Sequence, residues 1–340
     1  MDNPLRGWRL ERDQIKTVGR ELRRPECILA EPDGSLWAAD ARGGVSYIAH
    51  SGEQRLIAQR RSGHFDQAGD DLHARYMHGT LPNGLAFDRD GNFLISNFGT
   101  DALERMDRRG NTTVLLDRID GQPIGKVNFV LRDSRDRIWL TVSTRVNPWV
   151  SAMRPGLRDG YIVLIDGGHA RIVADGFAFT NEIRLDAREE WLYIAETTGK
   201  RISRMRVAAD GSLHDRETFG PEHLGTGFPD GIAFDAFGNL WVAMVMSDRL
   251  AAITPQGELL TLFDDGNAQA TAELERHFAQ SSLTTGIMAR ARGDVAPWLA
   301  SITFGGPDLR TVYLGSLMGD TLPYFTAPVA GLPMAHWRRA

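Results

Sequence analysis

The stretch Asn83-Gly-Leu-Ala-Phe-Asp88 is followed by Arg89-Asp-Gly-Asn92 and then by Phe93-Leu-Ile-Ser-Asn97. It reads as a polar residue, a short apolar run, a turn and a second apolar run. The same layout recurs along the chain. Its leading runs are Glu26-Cys-Ile-Leu-Ala-Glu31, Asn128-Phe-Val-Leu-Arg-Asp133, Asn181-Glu-Ile-Arg-Leu-Asp186, Asp230-Gly-Ile-Ala-Phe-Asp235 and, more weakly, Ser301-Ile-Thr-Phe-Gly-Gly306. The second runs are Leu36–Asp40, Ile138–Val142, Trp191–Ala195, Leu240–Met244 and Thr311–Gly315, and a third run is visible at Gly44–Ile48 and Arg201–Met205. β-Branched and aromatic residues bounded by Asp, Gly and Asn are hairpin chemistry. A repeat of roughly 50 residues with three or four strands is the signature of a propeller blade. Six such units account for the 340 residues. The expected fold is an all-β, six-bladed β-propeller, and residues 1–340 are expected to form one such domain.

Composition suits a soluble globular protein, with 42% hydrophobic and 24% charged residues. The formal net charge of -5 and the lack of a basic stripe argue against a nucleic-acid partner. One cysteine, Cys27, allows no internal disulfide. No apolar stretch has the length of a signal peptide or a membrane span. The expected setting is therefore cytoplasmic, away from membranes. Composition says nothing of the oligomeric state.

Three segments break the strand pattern and are expected around one mouth of the channel: residues 61–80, 143–160 and 262–298. The first holds Phe65, His73, Tyr76, Met77 and His78, and the second Trp149 and Met153. In the third, 270–279 has helical spacing and is followed by Thr284-Thr-Gly-Ile-Met288. Trp149 and Met288 are read as candidate walls of a substrate pocket.

The common catalytic motifs are missing: no Gly-x-Ser-x-Gly elbow, no phosphate-binding loop and no His-Glu-x-x-His pair. Gly225-Thr-Gly-Phe-Pro-Asp-Gly231 has neither the spacing nor the following helix of a dinucleotide loop. Strand alternation turns Cys27 to the face opposite Glu26, which suits packing. What remains is the register of the leading residues. If the runs are equivalent strands, Glu26, Asn128, Asn181 and Asp230 converge on one axis. Two carboxylates and two amide oxygens are ligands for a hard divalent cation. Calcium accepts that set readily, magnesium or manganese also, and zinc less naturally without nitrogen or sulfur. Asn and Asp also start strands simply by capping turns, but agreement in register across four repeats favours the site.

These residues carry a resemblance. Pro25-Glu26, Asn83-Gly84, Val127-Asn128, Asn181, Pro229-Asp-Gly-Ile232 and the closing 302–311 segment are similar to the senescence marker protein, gluconolactonase and luciferin-regenerating enzyme family, often called regucalcin-like. The resemblance implies metal binding by Glu26, Asn128, Asn181 and Asp230, a general-base role for Asp230 and substrate contact by Asn83. It implies a metal-dependent lactonase acting on a small molecule without an organic cofactor. Sugar-lactonase members commonly carry an arginine two residues before the blade-two Asn, and here that residue is Leu81. Leu81 is therefore expected to line the pocket, and the lactone to be less polar than an aldonolactone. Two alternatives stay open: the same metal centre acting on another ester, a phosphotriester or a cyclic ketone, and a non-catalytic propeller scaffold.

Overall fold

In the computed structural model, which describes residues 2–60, 75 and 79–339, the six leading runs form the innermost strands of six four-stranded antiparallel sheets. These strands are Ile28–Ala30, Pro82–Phe87, Val127–Arg132, Thr180–Leu185, Phe228–Phe234 and Leu299–Gly305. Each pairs with the second run of its repeat, which becomes Leu36–Asp40, Phe93–Asn97, Ile138–Val142, Trp191–Glu196, Leu240–Val245 and Thr311–Ser316. The all-β, six-bladed reading holds. Apolar side chains of neighbouring blades interdigitate, as Leu85, Phe129, Trp139 and Ile183 do in one cluster.

The acidic residue that closes a leading run pins its hairpin. Asp133 Oδ1 accepts from the amides of Arg135 and Arg137, both at 2.9 Å, while Oδ2 accepts from Trp139 Nε1 at 2.9 Å. Asp235 makes the corresponding bonds to Phe237, Asn239 and Trp241. One side chain thus caps the turn and satisfies a buried indole N–H.

The sixth repeat supplies only three strands, the third being Leu322–Thr326. Its fourth comes from the start of the chain: Lys16–Val18 pairs antiparallel with it, Lys16 opposite Tyr324. This strand carried no signal in the repeat, because the pairing depends on ring closure. At the far end of the inner strands the C-terminal segment crosses the axis. Leu332 donates its amide to Phe234 O at 2.8 Å, and His336 Nε2 lies 2.8 Å from Ala30 O.

The expected insertion from 262 starts later, since Leu259–Asp264 is the outer strand of blade five. It carries helices Ala268–Ala279 and Thr285–Arg290. Asn267 caps the first by accepting from the Ala270 amide at 3.0 Å. Leu274 and Phe278 face the barrel and pack with Phe228, Met288 and Trp298. Lys200 Nζ, 2.6 Å from Glu275, ties this helix to blade four. Segment 143–160 contains a 3-10 turn, Trp149–Ala152. Of segment 61–80, only Arg75, Gly79 and Thr80 are described, so Phe65, His73, Tyr76, Met77 and His78 lie outside the described residues. Among the described residues, no helix is long and apolar enough to cross a membrane.

The seam between the last and first blades depends on Gly315, where an added Cβ would run into the Glu26 carbonyl oxygen and Ser301 Oγ. Backbone cannot yield as a side-chain tip can, so Gly315→Ala should cost at least about 2 kcal/mol, in the upper part of the usual overpacking range. Urea unfolding of wild type and variant measures it; an unchanged midpoint would show that the seam is loose.

Candidate metal and substrate site

Asn83, Asn128, Asn181 and Asp230 all occupy breaks in the ladder. Pairing slips between Pro82 and Gly84, Val127 and Val130, Thr180 and Ile183, and Pro229 and Ile232. A bulge releases a residue from the ladder and re-aims its side chain. Gly231 allows the close approach behind Asp230, since a Cβ there would strike the Ala300 carbonyl oxygen. In blade six the slip falls between Leu299 and Ser301, so the bulged position is Ala300, one residue before the register the sequence suggested. Ser301 does not join the ring; its hydroxyl donates to the Glu26 carbonyl oxygen across the seam.

Glu26, Asn83, Asn128, Asn181 and Asp230 are all buried and border one cavity of about 50 Å³. That volume suits an ion with a few waters, not a whole ligand. Trp149 also borders it, with Phe98, Phe179, Met246, Trp298 and Leu317 as further apolar walls. Two sequence candidates are placed elsewhere. Leu81 is fully buried in a cluster with Ala41, Phe98 and Trp149, behind the lining, because its backbone is held by Asn97 and Phe98. Met288 is fully buried on the helical segment, and its carbonyl accepts from Trp298 Nε1 at 3.0 Å. It supports the wall that Trp298 forms.

Three polar residues escaped the sequence reading. Thr197, at the exit of the second strand of blade four, accepts from Asn181 Nδ2 at 3.0 Å and donates to Pro229 O at 2.9 Å. With its Nδ2 so committed, Asn181 has its Oδ1 buried and without a hydrogen-bond partner among the described residues. Arg24, buried and in the left-handed region at φ 54, places Nη1 2.8 Å from Glu26 Oε2 and donates from Nη2 to Asn83 Oδ1 at 2.7 Å. A non-glycine residue held there is strained, and such strain gathers at functional sites. The doublet Arg23-Arg24 before Pro25 was its only sequence trace. Glu182, next to Asn181, pairs with Arg184 at 2.8 Å and accepts from the Ile232 amide at 3.3 Å.

Asn83 knits the first three blades together. Its Nδ2 donates to Glu26 Oε1 at 2.8 Å and to Asn128 O at 3.0 Å. Burial raises the Glu26 carboxyl above its ordinary range, although Arg24 opposes the shift. Burial, and then the charges of Glu26 and Glu182, push Asp230 well above the ordinary range, against Arg24 and a hydrogen bond from Asn181. Glu182 is pushed up to about 7, chiefly by burial. Burial also drives the Cys27 thiol upward, as suits an inert packing residue.

Among the described residues no three His, Cys, Asp or Glu side chains form a metal cluster, because the ring mixes carboxylates with amides. The donor set nonetheless fits a hard cation. An orphaned amide oxygen shares the cavity with two carboxylates whose negative charge is poorly compensated. Glu26, Asn128, Asn181 and Asp230 would hold such an ion.

Residues 25–272 match the SMP-30/Gluconolactonase/LRE-like region model, and the chain belongs to that family. A curated relative, 6-deoxy-6-sulfogluconolactonase of Pseudomonas putida, is 26% identical over 180 residues, 51% of this chain and 52% of the relative. The match thus spans about half the length of that relative. Among solved structures, a gluconolactonase of Xanthomonas campestris superposes with a TM-score of 0.65 at 19% identity, covering 92% of this chain and 89% of that one. A calcium-binding regucalcin of Agrobacterium tumefaciens gives 0.64 at 15%, covering 93% and 95%. At such identities the structural likeness is one of fold.

Glu26, Glu182 and Asp230 have folded-state pKa values above their unfolded ones, near 4. Their contribution to stability is therefore full below pH 4 and lost as pH rises through the folded values, about 7 for Glu182. In chelator the melting temperature should fall from pH 5 to pH 8, and Glu182→Gln should flatten that fall. A profile that rises over this window in both proteins would contradict the assignment.

Proposed function

We propose that this chain is a divalent-metal-dependent lactonase, with calcium the preferred ion, acting on a lactone less polar than a sugar aldonolactone. The observation that carries the reading is the buried Oδ1 of Asn181, without a hydrogen-bond partner among the described residues, in the cavity bordered by Glu26, Asn128 and Asp230. Family membership supports the reaction class. The curated relative is itself named a lactonase, and the Agrobacterium neighbour is named calcium-binding.

A bound divalent cation would polarise the lactone carbonyl and stabilise charge developing on its oxygen. Asp230 takes the proton from the attacking water. A bound cation would hold Asp230 ionised, so its effect as a base rests on its position. Asn83, held by its Nδ2 donating to Asn128 O, orients the substrate. Phe98, Trp149, Phe179 and Trp298 exclude bulk water and favour an apolar acyl portion over a polyhydroxylated one. The cavity is too small for a whole lactone. The rest of the substrate extends into an adjoining vestibule of about 750 Å³, with Arg24 and Leu317 lining both spaces.

A pH-indicator assay over aliphatic, aromatic and sugar lactones tests the proposal. Acid release is expected to favour the apolar lactones, to stop in chelator and to return with calcium. Release that ignores exhaustive chelation would remove the metal from the reaction, and a preference for aldonolactones would reverse the substrate assignment. Asp230→Asn keeps an oxygen ligand and loses the base, so turnover should drop by about a hundredfold or more. Near-normal turnover in that variant would move the proton acceptor elsewhere. At free calcium about a hundredfold above its dissociation constant, linkage should stabilise the fold by roughly 2.7 kcal/mol, read as a rise in melting temperature that Asn181→Ala abolishes.

A further inference from the structure

We infer that the Arg24 guanidinium is a built-in counter-ion of the ring, occupying Glu26 until a divalent cation displaces it and thereby weakening the site's affinity for metal. The inference rests on the metal-site reading above. Its basis is a conflict over the same oxygens. Glu26 is a candidate ligand, yet its Oε2 lies 2.8 Å from Arg24 Nη1 and its Oε1 accepts from Asn83 at 2.8 Å. Arg24 Nη2 meanwhile donates to Asn83 Oδ1 at 2.7 Å, so one guanidinium fixes both residues. A divalent ion bound to Glu26 would sit beside this positive charge, and in a buried setting that repulsion is strong.

The arginine has both a reason to be there and somewhere to go. Glu26, Glu182 and Asp230 are three buried carboxylates, and Arg184 is engaged with Glu182. Among the described residues Arg24 is the cation paired with Glu26, and without it the metal-free ring would bury Glu26 and Asp230 with less compensation. The left-handed backbone at Arg24 and the pairing of the Arg23 carbonyl with the Ala41 amide aim the side chain at the axis. Arg24 also lines the vestibule, where Arg23, Arg42 and Arg75 stand near Glu21, Asp294 and Asp320. A side chain leaving Glu26 moves into this space without crossing the core.

Calcium titration calorimetry on wild type, Arg24→Gln, Arg24→Lys and Asn181→Ala decides the matter, with melting curves in chelator and in calcium. Arg24→Gln should bind calcium about tenfold more tightly than wild type, a difference of about 1.4 kcal/mol. Arg24→Lys, which keeps the charge, should lie nearer wild type. In chelator Arg24→Gln should melt below wild type, and calcium should raise its melting temperature by more. Should Arg24→Gln not fold without calcium, folding driven by calcium reports the affinity directly, and no rescue would overturn the inference. Unchanged or weaker binding by Arg24→Gln, with Asn181→Ala still abolishing it, would make Arg24 a supporting partner and refute the competition alone. If no protein binds calcium, or if Asn181→Ala leaves binding intact, the metal-site reading falls and this inference falls with it.

Discussion

Burying like charges together is the constraint on which this structure turns. Glu26, Asp230 and Glu182 are carried to the propeller axis near the starts of the inner strands of blades one, five and four, and each carboxyl is pushed toward its neutral form there. Such a centre survives only with compensation. Arg24 and Arg184 supply part of it, amide donors from Asn83 and Ile232 supply more, and a divalent cation would supply the remainder. The price is met by the rest of the fold, whose packed blades hold the groups in place.

The blades do this by a local device repeated with variation. In blades three and five an acidic residue at the end of the inner strand pins the outer turn, and a bulge at the strand's beginning swings a polar side chain inward. One end of the strand is made rigid so that the other can depart from the ladder. A hydroxyl at the exit of the second strand then sets the orientation, as Thr197 does for Asn181 within blade four while donating to Pro229 O of blade five. Around this ring, Trp298 is held by the Asp248 carboxylate, which accepts its amide at 3.0 Å, and the helix Ala268–Ala279 is clamped by Lys200 and Glu275. The apolar walls are thus as firmly placed as the candidate ligands.

Family membership and the local geometry bear on different questions. The family model spans residues 25–272 and so covers the first five inner strands, where all the candidate ligands lie. Identities of 15 and 19% to solved relatives leave the pocket walls free to differ. In this chain those walls are aromatic and sulfur-bearing, and the cation near the blade-two Asn comes from blade one as Arg24.

The six-fold repeat, the hairpin of every blade and the register that brings Glu26, Asn83, Asn128, Asn181 and Asp230 together are legible in the sequence. This is so because strand periodicity and turn chemistry are local, and because a repeat that fits one blade fits all. Tertiary structure alone decided the rest. Lys16–Val18 closes blade six only once the ring has formed, and the bulge at Ala300 displaces Ser301 from the axis by one residue. Leu81 is buried behind Phe98, while Arg24, two residues from Glu26 and in a left-handed turn, reaches the centre. Whether a side chain near a strand end faces the axis, the seam or the core depends on contacts with a neighbouring blade tens to hundreds of residues away, and no local pattern encodes them.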